Sequence, residues 1–255
     1  MVLANEHNRG NMIDCIVALT SHTKSRLEQL PKFLFNSLLK FNKTNFKVVL
    51  TLYKDDVQFI TEDLQTLIDN DLIELIIAEE NLRSHLKYFY VMQKYRDLPI
   101  ITIDDDMIYP VQMFDYMLEE HRKNPSVILC RSCQQFTYAN GNINETQKWL
   151  WNPVNNIAQI NHAEGYAGIL YPPNCLHITE DLIPEVCDTI MSDDIYLSIL
   201  EIRNRVKVYY LPKMRHEFVL ATKGEQSISL TPNIVETNNS YVNKFKDVFN
   251  LANTL

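Results

Sequence analysis

Three carboxylates stand side by side at Asp104-Asp105-Asp106, directly behind the apolar run Ile100-Ile101-Thr102-Ile103. Like charges crowded this closely repel, so the arrangement costs stability unless a cation compensates. Hard oxygen donors of this kind suit Mg²⁺ or Mn²⁺, with substrate phosphates commonly completing the coordination shell. A solvated acidic turn is the bland alternative. The run ahead of the acids, led by Pro99, reads instead as a strand buried on both faces. Its carboxyl end is where an open α/β sheet binds ligands.

Other polar groups fall at the ends of neighbouring predicted strands. The loop Thr20-Ser-His-Thr-Lys-Ser-Arg26 follows the first, and Asp55 and Asp56 follow the second. Asn81, Arg83, His85 and Lys87 follow the third. In a parallel sheet these loops are neighbours. Their cations suit phosphate oxygens, and their carboxylates suit ribose or base hydrogen bonds. Each taken singly also reads as a solvated surface charge. Gly165 and Gly168 are two of only five glycines in the chain. Glycine lets backbone approach a ligand closely or take positive φ, although an ordinary turn before the strand Ile169–Tyr171 would use it too. Trp149, Trp151 and Tyr166 suit either a sugar-stacking platform or the core.

The elements that must position these groups alternate. Strands are predicted at Ile13–Leu19, Phe46–Tyr53, Ile73–Ala78 and Pro99–Ile103, with helices at Leu27–Leu39, Ile60–Leu72 and Arg83–Tyr95 between them. That order predicts an α/β protein with a mostly parallel central sheet flanked by helices. Beyond Tyr109 the pattern loosens. Helices are predicted at Met113–Arg122, Pro184–Met191 and Ser192–Arg203, and strands at Ser126–Cys130 and Val206–Leu211. The stretch Gln134–Ala163 is polar and aromatic, with no clear period. Asp193 and Asp194 open a helix, where aspartate is favoured as a cap.

With 46% hydrophobic residues over 255 positions, the chain can bury a substantial core. A net charge of −8 argues against a nucleic-acid partner, which calls for a basic face. No apolar run reaches the ~18 residues of a membrane span, and the polar first ten residues do not read as a signal peptide. The five cysteines are an odd number and read as reduced thiols of a cytoplasmic protein. Cys130 and Cys133 have CxxC spacing without a second pair, so buried thiols are preferred to a zinc site.

Four motifs in order carry a resemblance over roughly Ile13 to Leu211. They are Asn81-Leu-Arg-Ser-His-Leu-Lys-Tyr-Phe-Tyr90, Pro99-Ile-Ile-Thr-Ile-Asp-Asp-Asp-Met-Ile-Tyr-Pro110, Gly165-Tyr-Ala-Gly-Ile-Leu-Tyr-Pro-Pro173 and Ser192-Asp-Asp-Ile-Tyr-Leu197. The chain resembles bacterial glycosyltransferases of the GT-A fold, close to family 2. The resemblance implies a single GT-A, Rossmann-like domain over 13–215, preceded by a polar tail at 1–12 and followed by an extension at 216–255. Residues 13–110 would bind a nucleotide-sugar and residues 111–215 an acceptor.

The same resemblance implies a nucleotide-diphospho-sugar donor, UDP-linked in the preferred reading, and Mn²⁺ or Mg²⁺. Asp104 would touch ribose, sugar or metal, Asp106 would bind metal, and Asp105 lies between them. Lys87 or Arg83 would approach the diphosphate, with Thr20 and Arg26 in the donor loop, and Asp55 or Asp56 would meet the base. Gly165, Tyr166 and Gly168 would border sugar and acceptor. Asp193-Asp194 matches a late motif that is often Glu-Asp, with Asp194 favoured over Asp193 as the general base. His216 would add a metal ligand.

The function expected is metal-dependent, inverting transfer of a sugar to a glycan or lipid-linked acceptor in surface polysaccharide synthesis such as capsule or lipopolysaccharide. The competing readings are a nucleotidyltransferase, disfavoured because the first loop has no glycine, and a non-catalytic carbohydrate-binding protein of the same fold. A phosphatase is disfavoured by Met107 after the acids. The stretch Tyr241–Phe249 is expected to pack on its own domain, with a second subunit or the inner face of the cytoplasmic membrane as alternatives.

Overall fold

The computed structural model describes residues 13–39, 44–110, 112–151, 153, 156–211, 219–220 and 233–255. Its frame is an eight-stranded, mostly parallel sheet flanked by helices. Four strands come from the first half of the chain: β1 (Cys15–Thr20), β2 (Phe46–Tyr53), β3 (Ile73–Ala78) and β4 (Ile100–Thr102). They lie side by side in the order β3, β2, β1, β4, and all are parallel. The chain therefore steps outward from β1 in both directions, which places a topological switch point between β1 and β4.

Beyond β4 the sheet continues through Ile169–Tyr171, Ile128–Cys130, Val208–Tyr210 and Ile157–Ala158. Ile169–Tyr171 runs antiparallel to both its neighbours, and Ile157–Ala158 is antiparallel at the edge.

The sheet divides two cores. Along β1 the side chains alternate: Cys15, Val17 and Leu19 enter one core, and Ile16 and Ala18 the other. The first core is closed by α1 (Lys24–Ser37), α2 (Glu62–Asp69) and α4 (Met113–Lys123), through Leu27, Leu30, Leu64, Leu67, Phe114 and Met117. The second is closed by α3 (Phe89–Lys94), α6 (Asp193–Arg203) and α8 (Lys246–Ala252), with α5 (Ile183–Asp188) and α7 (Ile234–Lys244) alongside. Each fully buried leucine in these layers contributes ~1.5–3 kcal/mol relative to exposure.

The predicted spans of β2 and β3 match residue for residue. The first helix starts earlier than its apolar spacing implies, at Lys24. The predicted helix Arg83–Tyr95 is instead a 3-10 turn, Arg83–Lys87, followed by the short α3. Arg83 sits at φ +50, and its amide donates to Asn81 Oδ1 at 3.2 Å, so a regular α-helix cannot pass through it. The tighter turn drives His85 and Lys87 inward.

The unassigned stretch Gln134–Ala163 holds a small antiparallel sheet with Cys133–Gln135 between Leu150–Trp151 and Asn161–Ala163. Strands of two or three residues carry too little period to be read from sequence. Trp149 lies in the core against Phe136, His162 and Phe249, so it is no part of an exposed stacking platform. The C-terminal helices pack on their own domain. Val242, Phe249 and Ala252 are buried, and Asn250 Oδ1 accepts from the Ile143 amide at 2.7 Å. No helix among the described residues is long and apolar enough to cross a membrane.

Candidate active site

The β1–β4 pairing continues one residue past β4, where the Ile103 amide donates to the Ala18 carbonyl at 3.0 Å. The three acids therefore emerge beside the loop that leaves β1. Ser21 Oγ donates to Asp105 Oδ2 at 2.5 Å. Arg26, in the first turn of α1, donates to Asp105 Oδ1 and, at 3.2 Å, to Asp106 Oδ2. Asp105 is turned inward, with 6% of its side chain exposed, against 30% for Asp104 and 23% for Asp106. Burial pushes the carboxyls of Asp105 and Asp106 above the usual range, with the Arg26 guanidinium opposing it. Asp105 is thus the residue that anchors Arg26, and its neighbours keep the accessible oxygens.

Lys87 supplies the second compensating cation. Its Nζ is 2.8 Å from Asp104 Oδ1 and 2.8 Å from Asp193 Oδ2. Burial works against the ammonium, but the combined field of Asp104, Asp193 and Asp194 outweighs it and holds the Lys87 pKa well above its ordinary value. A lysine this enclosed and doubly paired bridges the strand-end acids to the α6 acids.

Asp193 and Asp194 occupy the first turn of α6 behind Ser192, where the helix dipole favours carboxylates. Neither side chain caps the helix. Asp193 faces Lys87, and Asp194 Oδ1 accepts from the Gly165 amide at 3.1 Å. The two then diverge. Burial raises the Asp193 pKa, but Lys87 and His85 outweigh it and hold the carboxyl below its ordinary value. Burial, reinforced by the charge of Asp193, pushes Asp194 well up. A Cβ at Gly165 would sit 2.7 Å from Asp194 Oδ1 and 2.9 Å from Lys87 Nζ, so a side chain there must displace the ends of both.

Tyr109 ties the acids to the glycine loop. Its hydroxyl accepts from the Asp104 amide at 2.8 Å and donates to the Tyr166 carbonyl at 2.9 Å. Gly168 takes φ +86, and a Cβ on it would meet Met113 Cε at 3.2 Å. His85 fixes the approach to α6 from below. Its Nε2 lies 3.2 Å from the Thr189 carbonyl, which can only accept, so Nδ1 accepts from Tyr88 Oη at 2.7 Å. Burial lowers its pKa to about 4, so the ring is neutral.

The remaining expected residues divide. Asp56, Arg83, Asp106 and Arg26 gather around His22, whose pKa is lowered by burial and then by Arg26. Asp55 stands exposed in the 3-10 turn Lys54–Phe59. Thr20 points back into the sheet, its hydroxyl donating to the Thr51 carbonyl at 2.8 Å. Tyr166 presents a partly exposed ring beside Gly165. His216 lies outside the described residues. Ser21, His22 and Tyr109 carry no separate signal in the sequence: the first two lie within the polar loop after β1, and Tyr109 is masked by its ordinary core chemistry.

Among the described residues no group of three or more His, Cys, Asp or Glu side chains forms a metal-ligand cluster. The donor chemistry nonetheless suits a hard cation at Asp104 and Asp106. Each offers one oxygen to a protein cation and retains carboxylate surface toward solvent. Cys130 and Cys133 are buried free thiols.

Fold and site together define an α/β protein in which, at the switch between β1 and β4, strand-end acids are paired with compensating bases. No protein-family model and no curated sequence matches the chain. Among solved structures it is similar to S. aureus TarS, at 13% identity over 46% of this chain and 21% of that one, with TM-score 0.35. It is similar to CMP:2-keto-3-deoxy-manno-octonic acid synthetase complexed with CTP, at 11% identity over 77% and 88% of the two chains, TM-score 0.39. It is also similar to 4-diphosphocytidyl-2C-methyl-D-erythritol synthase from Anaerococcus prevotii, at 11% identity over 90% and 96%, TM-score 0.46. The chain spans about a fifth of the TarS structure, 21%. Likenesses at these TM-scores say nothing of activity, and the functional reading rests on the site.

Proposed function

We propose that the protein is a metal-dependent, inverting glycosyltransferase that moves a sugar from a nucleotide-diphospho-sugar, UDP-linked in the preferred reading, to a glycan or lipid-linked acceptor. The observation that carries this reading is the convergence, within one hydrogen-bonded unit, of the strand-end acids and the α6 acids. Asp104 connects through Lys87 to Asp193. Through Tyr109 and the glycine loop it connects to Asp194.

The geometry supports a division of roles. Asp104 and Asp106 would hold the divalent cation, which when bound neutralises charge on the leaving nucleoside diphosphate. Arg26, held by Asp105, adds positive charge at the same crevice. Asp194 is the base. Its raised pKa brings it toward the operating range of a group that must take a proton from an acceptor hydroxyl. Asp193 is committed to Lys87 and serves to position it. No enzyme nucleophile is needed for inversion, because the acceptor oxygen itself attacks the anomeric carbon.

The test is product analysis with UDP-sugars and Mn²⁺. Metal-dependent release of nucleoside diphosphate, abolished by chelation and reduced at least tenfold in Asp106→Asn, is expected. Release of pyrophosphate from a nucleoside triphosphate and a sugar phosphate would instead establish a nucleotidyltransferase. Binding of a nucleotide-sugar without turnover would establish a binding protein.

A further inference from the structure

Beside Asp194 lies a polar and aromatic surface that the donor chemistry does not use. Glu164 directly precedes Gly165, and its carboxylate is held from two sides. Ser132 Oγ donates to Oε2 at 2.5 Å, and Gln134 Nε2 to Oε1 at 2.9 Å. The Glu164 amide also donates to the Ser132 carbonyl at 3.1 Å. Ser132 Oγ lies 2.9 Å from Tyr166 Oη, which fixes the tip of that half-exposed ring. Gln134 pairs directly with Trp151 across the small antiparallel sheet, so both side chains stand on one face. Trp149, two residues back, is roofed by Phe249, whereas Trp151 is 53% exposed. Of the two tryptophans, one thus lies in the core and the other in the open, opposite the Gln134 that holds Glu164.

Resting on the proposed glycosyl transfer, we infer that Trp151 and Tyr166, with Glu164 and Gln134 between them, form the acceptor subsite, and that the acceptor is an oligosaccharide. The chemistry selects a polyhydroxylated ligand. Exposed rings offer flat apolar faces to the C–H face of a pyranose. A clamped carboxylate recognises hydroxyl donors, and a primary amide both gives and receives hydrogen bonds. Sites that recognise small ligands combine aromatic walls with a few fixed polar groups of this sort. Continuity sets the direction: the chain passes from Glu164 to Gly165, whose amide holds Asp194, so a sugar seated on Tyr166 brings a hydroxyl toward the base.

The chain has only two tryptophans, one buried and one exposed, which makes the surface directly observable. In the full chain, acrylamide quenching of tryptophan emission should be dominated by Trp151 and largely vanish in Trp151→Phe. The probes are hexasaccharides of glucose, galactose and N-acetylglucosamine, with UDP as the control. At least one hexasaccharide is expected to cut the quenching constant twofold or more. Tyr166→Ala and Glu164→Gln should each weaken that protection at least tenfold in half-saturating concentration. Unchanged quenching with all three hexasaccharides overturns the inference, as does protection by UDP alone. Nucleoside diphosphate release by the wild-type protein, measured in parallel, reports separately on whether the chain is a transferase at all.

Discussion

Gly165 and Asp194 are fitted to one another twice over. The Gly165 amide donates to Asp194 Oδ1 at 3.1 Å, and a Cβ on Gly165 would stand 2.7 Å from the same oxygen. Backbone from the loop before one strand and a side chain from α6 therefore meet more closely than a residue with a Cβ permits without a shift.

Gly165→Ala tests this directly. The added methyl must displace the ends of both Asp194 and Lys87, since it would come within 2.9 Å of the lysine Nζ as well. Shifting a catalytic group by an ångström commonly costs ~10²-fold, so transfer should fall by about that factor in kcat. Steady-state kinetics beside a thermal melt will check it; kcat within twofold of wild type would remove Asp194 from the chemistry.

The pH profile should identify the base. Asp194 must be ionised to accept a proton, and its pKa is raised well above the ordinary carboxylate range. Transfer should therefore fall as pH drops through an acidic limb lying above about 3.9, the value of an unperturbed aspartate. Asp194→Asn should lower kcat by ~10²–10⁴-fold and abolish that limb. An acidic limb that persists unchanged in the asparagine variant would assign it to another group.

Lys87 is the charge that makes the acid cluster tolerable. Removing one member of a buried ion pair costs ~3–5 kcal/mol, because the remaining charges are left uncompensated. Lys87→Met should lower the urea midpoint accordingly. A double variant with Asp193→Asn should recover part of the loss, since it removes one of the two charges Lys87 pairs. Equal midpoints for wild type and Lys87→Met would contradict the role assigned to it.

Glu201 gives a stability signature of the opposite sign to most acids. It is buried on α6, its Oε1 meets no hydrogen-bond partner among the described residues, and burial, then Asp194, raises its pKa from 4.5 to about 8. Between those two values the folded protein holds a proton that the unfolded chain has lost. Stability therefore decreases as pH rises from about 4.5 to about 8, and Glu201 adds no further slope above that. Glu201→Gln keeps the shape without the ionisation. It should be more stable than wild type at pH 8 by a few kcal/mol, and nearly equal to it at pH 4.5. Urea melts at the two pH values will show whether the difference grows with pH; a constant offset would place the effect in packing.

The sequence alone determined the sheet's first half. Strands such as Phe46–Tyr53 and Ile73–Ala78 are continuous apolar runs between amphipathic helices, and their period is local information. It also determined where the three acids emerge, because residues directly behind a buried strand must stand at its carboxyl end. Tertiary structure decided the partners. That Arg26 rather than Lys87 faces Asp105 and Asp106, that Lys87 is enclosed between Asp104 and Asp193, and that Trp149 is roofed while Trp151 is open all depend on contacts across tens of residues. Charge partners completed the distinction between Asp193 and Asp194, adjacent and chemically identical on paper. Burial raises both carboxyls, but Lys87 and His85 outweigh it at Asp193 whereas the charge of Asp193 adds to it at Asp194, and no property of either residue's position in the chain encodes that.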